Sequence, residues 1–467
     1  MGTGWIRSRS VNLAVVVGPN IIVIMTDDQG YADLSCAGSS DLATPHLDEV
    51  AATGVRFTNF YAGSAVCSPS RASLLTGRYP GNAGVRSILA GHRTATGLSP
   101  TVPTIAGLLK PAGYRTSMTG KWHLGVSEDC RPDRHGFDDW YGFLAGCVDY
   151  YSHIFYWGMA DGRTDPVHDL WDNGEETYDN GRYLTEMITR RAVSQIRSAA
   201  RSDRPFFSYV AYNAPHYPMH APRAYLDRFP HLPDERRVMA AMIAAVDDGV
   251  GAILRELDRH GLRDDTMIVF CSDNGPSRET RNWLDGTSIP YRGGTTGPLK
   301  GHKYSLYEGG IRVPGIISWP ARIPAGQVVD LPCSAVDVLP TILAAARLDA
   351  AGLELDGTSL LDVLSGAAMA PAPADRQLFW ELGDQTAVRE GRWKLVLNGQ
   401  LVEGETDPES VFLADLEQDV AEQHNLAGAE PGVTARLTAA ATDWRAGIEQ
   451  RWTDEWLPLQ TGTAALA

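Results

Sequence analysis

The stretch IIVIMTDDQG, residues 21–30, sets the expected fold of this chain. Its first five residues are apolar and mostly β-branched, which predicts a short buried β-strand. Two adjacent carboxylates, Asp27 and Asp28, follow the strand directly and precede a glycine. A buried strand that ends in polar residues is typical of open α/β sheets, in which ligands bind beyond the carboxyl ends of the strands.

Three more runs of this kind follow along the chain, at 114–120 (YRTSMTG), 206–212 (FFSYVAY) and 266–272 (TMIVFCS). Helical patterns lie between them. Within residues 238–260, for example, the apolar side chains recur every three or four positions and fall on one helix face. This alternation predicts an α/β fold with a large, mostly parallel sheet sandwiched by helices.

The Ala/Pro-rich segment at 365–376 interrupts the alternation and predicts a domain boundary. We therefore expect a main domain over residues 1–370 and a small α+β subdomain over 371–467. Within the second part, QLFWEL, TAVREGRWKLVL and VFLADLEQ predict a small antiparallel sheet. A helix near 432–450 is expected to pack on that sheet.

Each of the four predicted strands is followed by unusual polar residues. In chain order these are Asp27 and Asp28, Lys121 and His123, His216, and Asp273 and Asn274. Taken singly, such clusters also fit tight turns, helix caps or ordinary loop residues. In a parallel sheet, however, the four strand ends would meet at one edge, which favours a shared site.

The side chains of this predicted site indicate its chemistry. Asp27, Asp28, Asp273 and Asn274 offer only oxygen ligands, which suit a hard divalent cation such as calcium or magnesium. Lys121, His123 and Arg71 add positive charge and proton donors. Such a pocket fits a tetrahedral oxyanion ester better than a sugar or a hydride donor.

Composition narrows the class of protein further. The 467 residues carry a formal net charge of −16, which argues against a nucleic-acid partner because a phosphate-reading surface needs a basic excess. Apolar runs are too short to span a membrane. The six cysteines lack CxxC spacing, so neither a disulfide framework nor a zinc site is expected. The first twenty residues do not form a clear signal peptide, which favours the cytoplasm over export.

One further stretch, AVCSPSRASLLTGRYP at residues 65–80, identifies a family. It resembles the signature C-x-P-x-R followed by L-T-G-R of the sulfatases in the alkaline-phosphatase superfamily. PNIIVIMTDDQGYADLSCAG, AGYRTSMTGKWHLG, HYP, SDNG and HKYSLYEGGIRVPG are similar to other motifs of that family and occur in its order. Residues 136–153 look closest to the arylsulfatase B type, which removes the 4-sulfate of N-acetylgalactosamine units.

The resemblance implies that Cys67 is oxidised after translation to formylglycine, an aldehyde that is hydrated to a geminal diol. It also implies a formylglycine-generating enzyme as a partner during maturation, with Ser68, Pro69 and Arg71 as part of its recognition tag. Proline just inside a helix start places Cys67 at a helix N-terminus, where backbone N–H groups favour an anionic nucleophile. The substrate would be a sulfated small molecule or sugar.

Roles for individual residues follow from the same resemblance. The metal ligands would be Asp27, Asp28, Asp273, Asn274 and the modified Cys67, with calcium favoured over magnesium. The remaining roles are activation of the diol by Asp273, proton supply to the leaving alcohol by His216 or Lys303, proton removal by His123, and retention of the diol by Arg71 and Lys121. The position of Tyr307 in the YEGG motif selects Lys303 as the catalytic lysine, and Lys300 is then a rim or structural cation.

Two other functions stay open at this point. A phosphonate monoester or phosphodiester hydrolase of the same superfamily can share the formylglycine signature, because sulfate monoesters and phosphate diesters both carry one negative charge. A non-catalytic carbohydrate-binding relative would leave Cys67 unmodified. Aromatic residues between 140 and 157 could stack on a sugar ring, or they could fill the core.

Overall fold

The computed structural model describes residues 18–156, 166–278, 292–366 and 376–459. The strands are β1 (Asn20–Thr26), β2 (Gly54–Phe57), β3 (Phe60–Tyr61), β4 (Arg115–Lys121), β5 (Asp139–Phe143), β6 (Ile154–Phe155), β7 (Val167–His168), β8 (Trp171–Asp172), β9 (Glu175–Glu176), β10 (Phe206–Ala211), β11 (Thr266–Ser272), β12 (Gly315–Ser318), β13 (Gln327–Val329), β14 (Cys333–Ser334), β15 (Gln377–Leu382), β16 (Gln385–Glu390), β17 (Trp393–Leu397), β18 (Gln400–Val402), β19 (Glu405–Thr406) and β20 (Val411–Asp415).

The helices are α1 (Pro45–Ala52), α2 (Cys67–Thr76), α3 (Pro80–Ala83), α4 (Ile105–Leu109), α5 (Leu184–Ala199), α6 (Arg223–Leu226), α7 (Asp234–Arg259), α8 (Glu308–Ile311), α9 (Val338–Ala345), α10 (Leu361–Leu364) and α11 (Pro431–Arg451). Within the described residues, no helix has the length and apolar character needed to cross a membrane.

The large sheet has the strand order β13-β2-β12-β11-β1-β10-β4-β5-β8-β9. Its middle, from β11 to β5, is parallel, and the strands that extend it on both sides pair mostly antiparallel. The four strands expected from the sequence are thus neighbours with a common direction. Their carboxyl ends lie at the same edge of the sheet, as predicted.

Helices cover both faces of this sheet, which confirms the predicted sandwich. Strand β1 is buried throughout, and its side chains alternate between two hydrophobic clusters. Ile21, Val23 and Met25 pack in the cluster that includes α2, α4 and α9. Ile22 and Ile24 pack in the cluster that includes α1, α5 and α7. A continuous apolar run is what a strand with two buried faces requires.

The C-terminal part contains the predicted antiparallel sheet, in the order β15-β16-β17-β20, with α11 packed on one face. The other face contacts the main part through an apolar cluster that includes Tyr307, Trp380 and Phe412. A buried ion pair crosses the same interface, with Lys394 Nζ lying 2.9 Å from Glu308 Oε1. The predicted boundary between residues 370 and 371 and the segment at 1–17 lie outside the described residues.

Candidate active site

The end of β1 and the end of β11 are joined by hydrogen bonds between their polar residues. The backbone N–H of Asp28 donates to Asp273 Oδ1 at 3.1 Å, and Asn274 Nδ2 donates to Asp28 Oδ1 at 2.6 Å. Asp28 has a φ of 62°, a left-handed conformation that aspartate tolerates better than most residues. The turn after β1 thereby directs its carboxylate toward the residues that follow β11.

Two buried cations pair with these carboxylates. Arg71, on α2, donates from Nε and Nη2 to Asp273 Oδ2 at 3.0 and 2.7 Å. Lys121, the last residue of β4, donates to Asp27 Oδ2 at 2.7 Å. Burial raises the pKa of Asp273, and the nearby Asp27 carboxylate adds to this shift while Arg71 opposes it. The cations therefore offset part of the cost of burying several carboxylates together.

Two oxygens of this cluster are candidate metal ligands. Asp27 Oδ1 and Asn274 Oδ1 are buried without a hydrogen-bond partner among the described residues. Single ligand atoms of Asp27, Asp28, Cys67 and His216 also lie within 4.8 Å of one another. Buried polar atoms normally have partners, and oxygens of this kind are the ligands that a hard divalent cation prefers.

Cys67 is the first residue of α2, and its side chain is buried. Burial raises the pKa of its thiol, an effect that the neighbouring Lys121 and Lys303 oppose. An unmodified thiol at this position would therefore be mostly protonated near neutral pH and a weak nucleophile. Cys67 therefore lies among charged side chains, as a reactive group would, but its unmodified thiol is a poor nucleophile there.

Lys303 and His216 form a pair next to Asp28. Lys303 Nζ lies 3.0 Å from Asp28 Oδ2 and 3.1 Å from His216 Nε2. His216 Nδ1 lies 2.7 Å from the carbonyl oxygen of Tyr217, so that nitrogen carries the proton and Nε2 accepts from the lysine. The pair presents one ammonium group and one neutral imidazole to the site.

His123 approaches from the segment after β4, with a φ of 54°. Its Nε2 lies 3.2 Å from the carbonyl oxygen of Leu89, which makes Nε2 the donor and Nδ1 the acceptor. Burial lowers the pKa of His123 well below its usual value, and Lys121 and Arg71 act in the same direction. A Cβ atom at Gly146 would lie 2.8 Å from this ring, so only glycine leaves room for it. His123 is therefore a neutral base with a buried acceptor nitrogen.

The second lysine of the loop, Lys300, points elsewhere. Its Nζ lies 2.8 Å from Asp407 Oδ2 and about 4 Å from the ring centroids of Tyr307 and Phe412. These contacts hold it against the C-terminal sheet, so the structure assigns Lys300 a structural position and places Lys303 in the site.

A cleft of about 390 Å³ opens onto this cluster. It is lined by Cys67, Ile88, Leu89, Ala90, Gly91, His123, Gly146, Cys147, Phe155, His216, Lys303, Tyr304 and Glu403. Sequence reasoning missed most of the walls, which come from segments without a motif. Leu89 and Gly91 follow α3, and Glu403 lies in the turn between β18 and β19 of the C-terminal part.

The aromatic residues near 140–157 include some that fill the core and one that lines the cleft, where it could stack on a sugar ring. Trp140, Phe143 and Tyr150 are buried in the core, whereas Phe155 lines the cleft. Trp157 lies outside the described residues. Phe155 is thus the residue of this group for which contact with a bound substrate is expected.

Comparison with known proteins gives matches over nearly the whole chain. The family described as Sulfatase matches residues 19–348, and the N-sulphoglucosamine sulphohydrolase C-terminal family matches residues 301–442. Arylsulfatase J of Mus musculus is 33% identical over 402 residues, or 81% of this chain and 64% of that protein. Arylsulfatase A of Homo sapiens is 33% identical over 473 residues, or 92% and 88% of the two chains. The crystal structure of Ps i-CgsB in complex with k-i-k-neocarrahexaose has a TM-score of 0.81 and 31% identity, with 94% of each chain covered.

Proposed function

This chain belongs to the sulfatase family, and from that premise we propose that it hydrolyses sulfate monoesters with a nucleophile made from Cys67. The observation that carries the proposal is the position of Cys67. It begins α2 within the group of possible ligands formed with Asp27, Asp28 and His216, and it lines the cleft together with Lys303. Conversion of the cysteine to formylglycine, a trait of the family, would replace the protonated thiol by a hydrate with two hydroxyls.

A divalent cation completes the site. The residues that would hold it are Asp27, Asp28, Asp273, Asn274 and the modified residue 67. The buried oxygens of Asp27 and Asn274 that accept no hydrogen bond among the described residues support this set. Calcium is favoured over magnesium because it accepts many oxygen ligands in irregular geometry. When bound, the cation offsets negative charge on the nucleophile and on the sulfate oxygens.

The side chains around the cleft transfer the protons and stabilise the leaving oxygen. Arg71 holds the Asp273 carboxylate, and Asp273 takes the proton of the attacking hydroxyl. Lys303 stabilises and protonates the leaving oxygen, because its ammonium lines the cleft, and His216 positions that ammonium by accepting from it at Nε2. His123 accepts the proton of the second hydroxyl at Nδ1, since its Nε2 is bonded to Leu89.

The substrate class that we propose is a sulfated carbohydrate or an aryl sulfate. The similarity to arylsulfatases J and A and to a structure containing a neocarrahexaose supports this class. The apolar wall of the cleft, which includes Ile88 and Phe155, could pack against a sugar or aromatic ring. The likeness of residues 136–153 to arylsulfatase B stays a prediction.

The test uses protein produced with and without a formylglycine-generating enzyme. Mass spectrometry of the peptide containing Cys67 gives the degree of conversion, and turnover of an aryl sulfate should rise in proportion to it. Cys67→Ala should be inactive, and Cys333→Ala, a buried cysteine on β14, serves as the matched control. Faster turnover of a phosphodiester by the same preparation would identify the enzyme as a phosphodiesterase, and binding of sulfated sugars without modification or turnover would identify a carbohydrate-binding protein.

A further inference from the structure

Gln385, the first residue of β16, lies in the C-terminal sheet and is almost completely buried. Its side-chain amide makes three hydrogen bonds, and all of them leave its own strand. Oε1 accepts from the backbone N–H groups of Leu306 at 3.3 Å and Gln400 at 2.9 Å, and Nε2 donates to the carbonyl oxygen of Tyr304 at 2.8 Å. One side chain thus connects the Lys303 loop with the hairpin that begins at Gln400.

The loop bonded by Gln385 has an unfavourable backbone conformation next to the active lysine. Tyr304 has a φ of 74°, which is uncommon for a residue other than glycine and persists only when the surroundings hold it. Its N–H donates to the carbonyl oxygen of Ala65 at 2.9 Å, two residues before Cys67. The backbone N–H of Lys303 donates to the carbonyl oxygen of Pro276 at 3.1 Å. The Gln385 bond to the Tyr304 carbonyl therefore completes the anchoring of this backbone from the C-terminal side.

The hairpin that shares Gln385 reaches the cleft as well. Gln400 begins β18, and the turn after this strand carries Glu403, which lines the cleft. A second bond, from His302 N–H to the carbonyl oxygen of Leu401 at 3.1 Å, ties the hairpin to the same loop. A shift of Gln385 would therefore move two parts of the wall together.

We propose that Gln385 is a positioning residue, through which the C-terminal part of the chain sets the place of the Lys303 ammonium in the cleft. This inference rests on the proposed function, in which Lys303 acts on the leaving oxygen. A misplaced ammonium would still attract the substrate through its charge, but it would stabilise the leaving oxygen poorly. The effect should therefore appear in kcat rather than in KM, and most strongly with a poor leaving group.

The experiment compares Gln385→Met, Gln385→Glu and the control Gln377→Met, each with its formylglycine content measured. Methionine has a similar volume and makes none of the bonds, and glutamate keeps an acceptor but loses the donor to Tyr304. Gln377 lies on the neighbouring strand β15, and its Nε2 donates to Glu390 Oε2 at 2.7 Å. This bond lies at the end of the β15–β16 pair that is opposite to Gln385. Substrates are phenyl sulfate, with a poor leaving group, and 4-nitrophenyl sulfate, with an activated one.

Gln385→Glu loses the bond to Tyr304 and Gln385→Met loses all three bonds. Each variant should therefore lower kcat for phenyl sulfate by at least about tenfold, the size expected from losing one buried hydrogen bond. The loss for 4-nitrophenyl sulfate should stay below about threefold and KM should stay within about twofold, and Gln377→Met should resemble wild type on both substrates. Equal losses on the two substrates, no loss on either, or the same pattern in Gln377→Met would overturn the positioning role while leaving the proposed function standing. Wild-type protein that carries formylglycine and hydrolyses neither sulfate would overturn both the positioning role of Gln385 and the proposed function.

Discussion

Replacing Lys303 with alanine should slow hydrolysis at the step in which the leaving oxygen gains charge. The ammonium lies 3.1 Å from His216 and 3.0 Å from Asp28, so it reaches the group of possible ligands that contains Cys67. Half a unit of charge on a leaving oxygen about 3.5 Å away is stabilised by about 2 kcal/mol at an effective dielectric constant of 20. Removing one positioned donor from an active site typically costs about a hundred- to a thousandfold in kcat.

We therefore expect Lys303→Ala to lower kcat for phenyl sulfate by about a hundredfold. The loss should be below about tenfold for 4-nitrophenyl sulfate, because its leaving oxygen spreads the charge into the ring and needs less help. The assay is steady-state release of the phenol, normalised to the formylglycine content of each preparation. Across a series of aryl sulfates, the loss of kcat in Lys303→Ala should grow as the pKa of the leaving phenol rises.

Lys300→Ala is the matched control for this prediction. Lys300 is bonded to Asp407 and lies over the rings of Tyr307 and Phe412, so its loss should lower the free energy of unfolding by about 1–3 kcal/mol. Its kcat should stay within about threefold of wild type. A larger kinetic loss in Lys300→Ala than in Lys303→Ala, or a Lys303→Ala loss that is the same for both leaving groups, would refute the reasoning.

Three more predictions follow from the same structure. Cys67→Ala should abolish turnover while the melting temperature stays near that of wild type, because the side chain is small; residual turnover near the wild-type rate would exclude a nucleophile at residue 67. Calcium added to chelator-treated protein should stabilise it by about 2.7 kcal/mol at a hundredfold excess over Kd, and Asn274→Ala should reduce this gain, as measured by thermal unfolding; equal stabilisation of the variant would remove Asn274 from the ligand set. Asp247 accepts from the N–H groups of His46 and Leu47 at the start of α1, and burial raises the pKa of its carboxyl from 3.8 to about 6. Because the folded protein binds the proton more tightly than the unfolded chain, the free energy of unfolding should fall by about 2 kcal/mol as the pH rises from 4 to 6. Asp247→Asn should lack this fall in denaturant titrations, and parallel pH profiles for the two proteins would contradict the assignment.

Local sequence was enough to predict the strands and helices that build the centre of the fold. Strand β1 is buried on both faces, which favours apolar side chains on both, and the five-residue apolar run at its centre shows this directly. Helix α7 packs one face against the sheet, and the spacing of Met242, Val246, Val250 and Leu257 predicts this face. The polar residues at the strand ends were equally visible, because each stands where an apolar run stops.

Tertiary structure alone decided which of these residues meet. The hydrogen bond from Asp28 to Asp273 joins positions 245 residues apart, and it depends on β1 lying beside β11 in the sheet. No local pattern encodes that neighbour, because strand order results from the packing of the whole chain. The motif in the family's lysine loop selected Lys303 over Lys300, but only the contacts show why. One lysine reaches His216 and Asp28, and the other is held by Asp407.

The C-terminal contribution to the site lay furthest from what the sequence could predict. Gln385 and Glu403 stand in a short strand and a turn with no catalytic motif. Gln385 reaches the Lys303 loop, and Glu403 the cleft, only because the small sheet docks against the main part through Tyr307, Trp380 and Phe412. The sequence by itself therefore determined the elements, the family and the chemical type of the site, since these depend on residue type and local spacing. The tertiary structure decided which residues contact Lys303 and what holds its loop beside the cleft, because those contacts join residues that only long-range packing brings together.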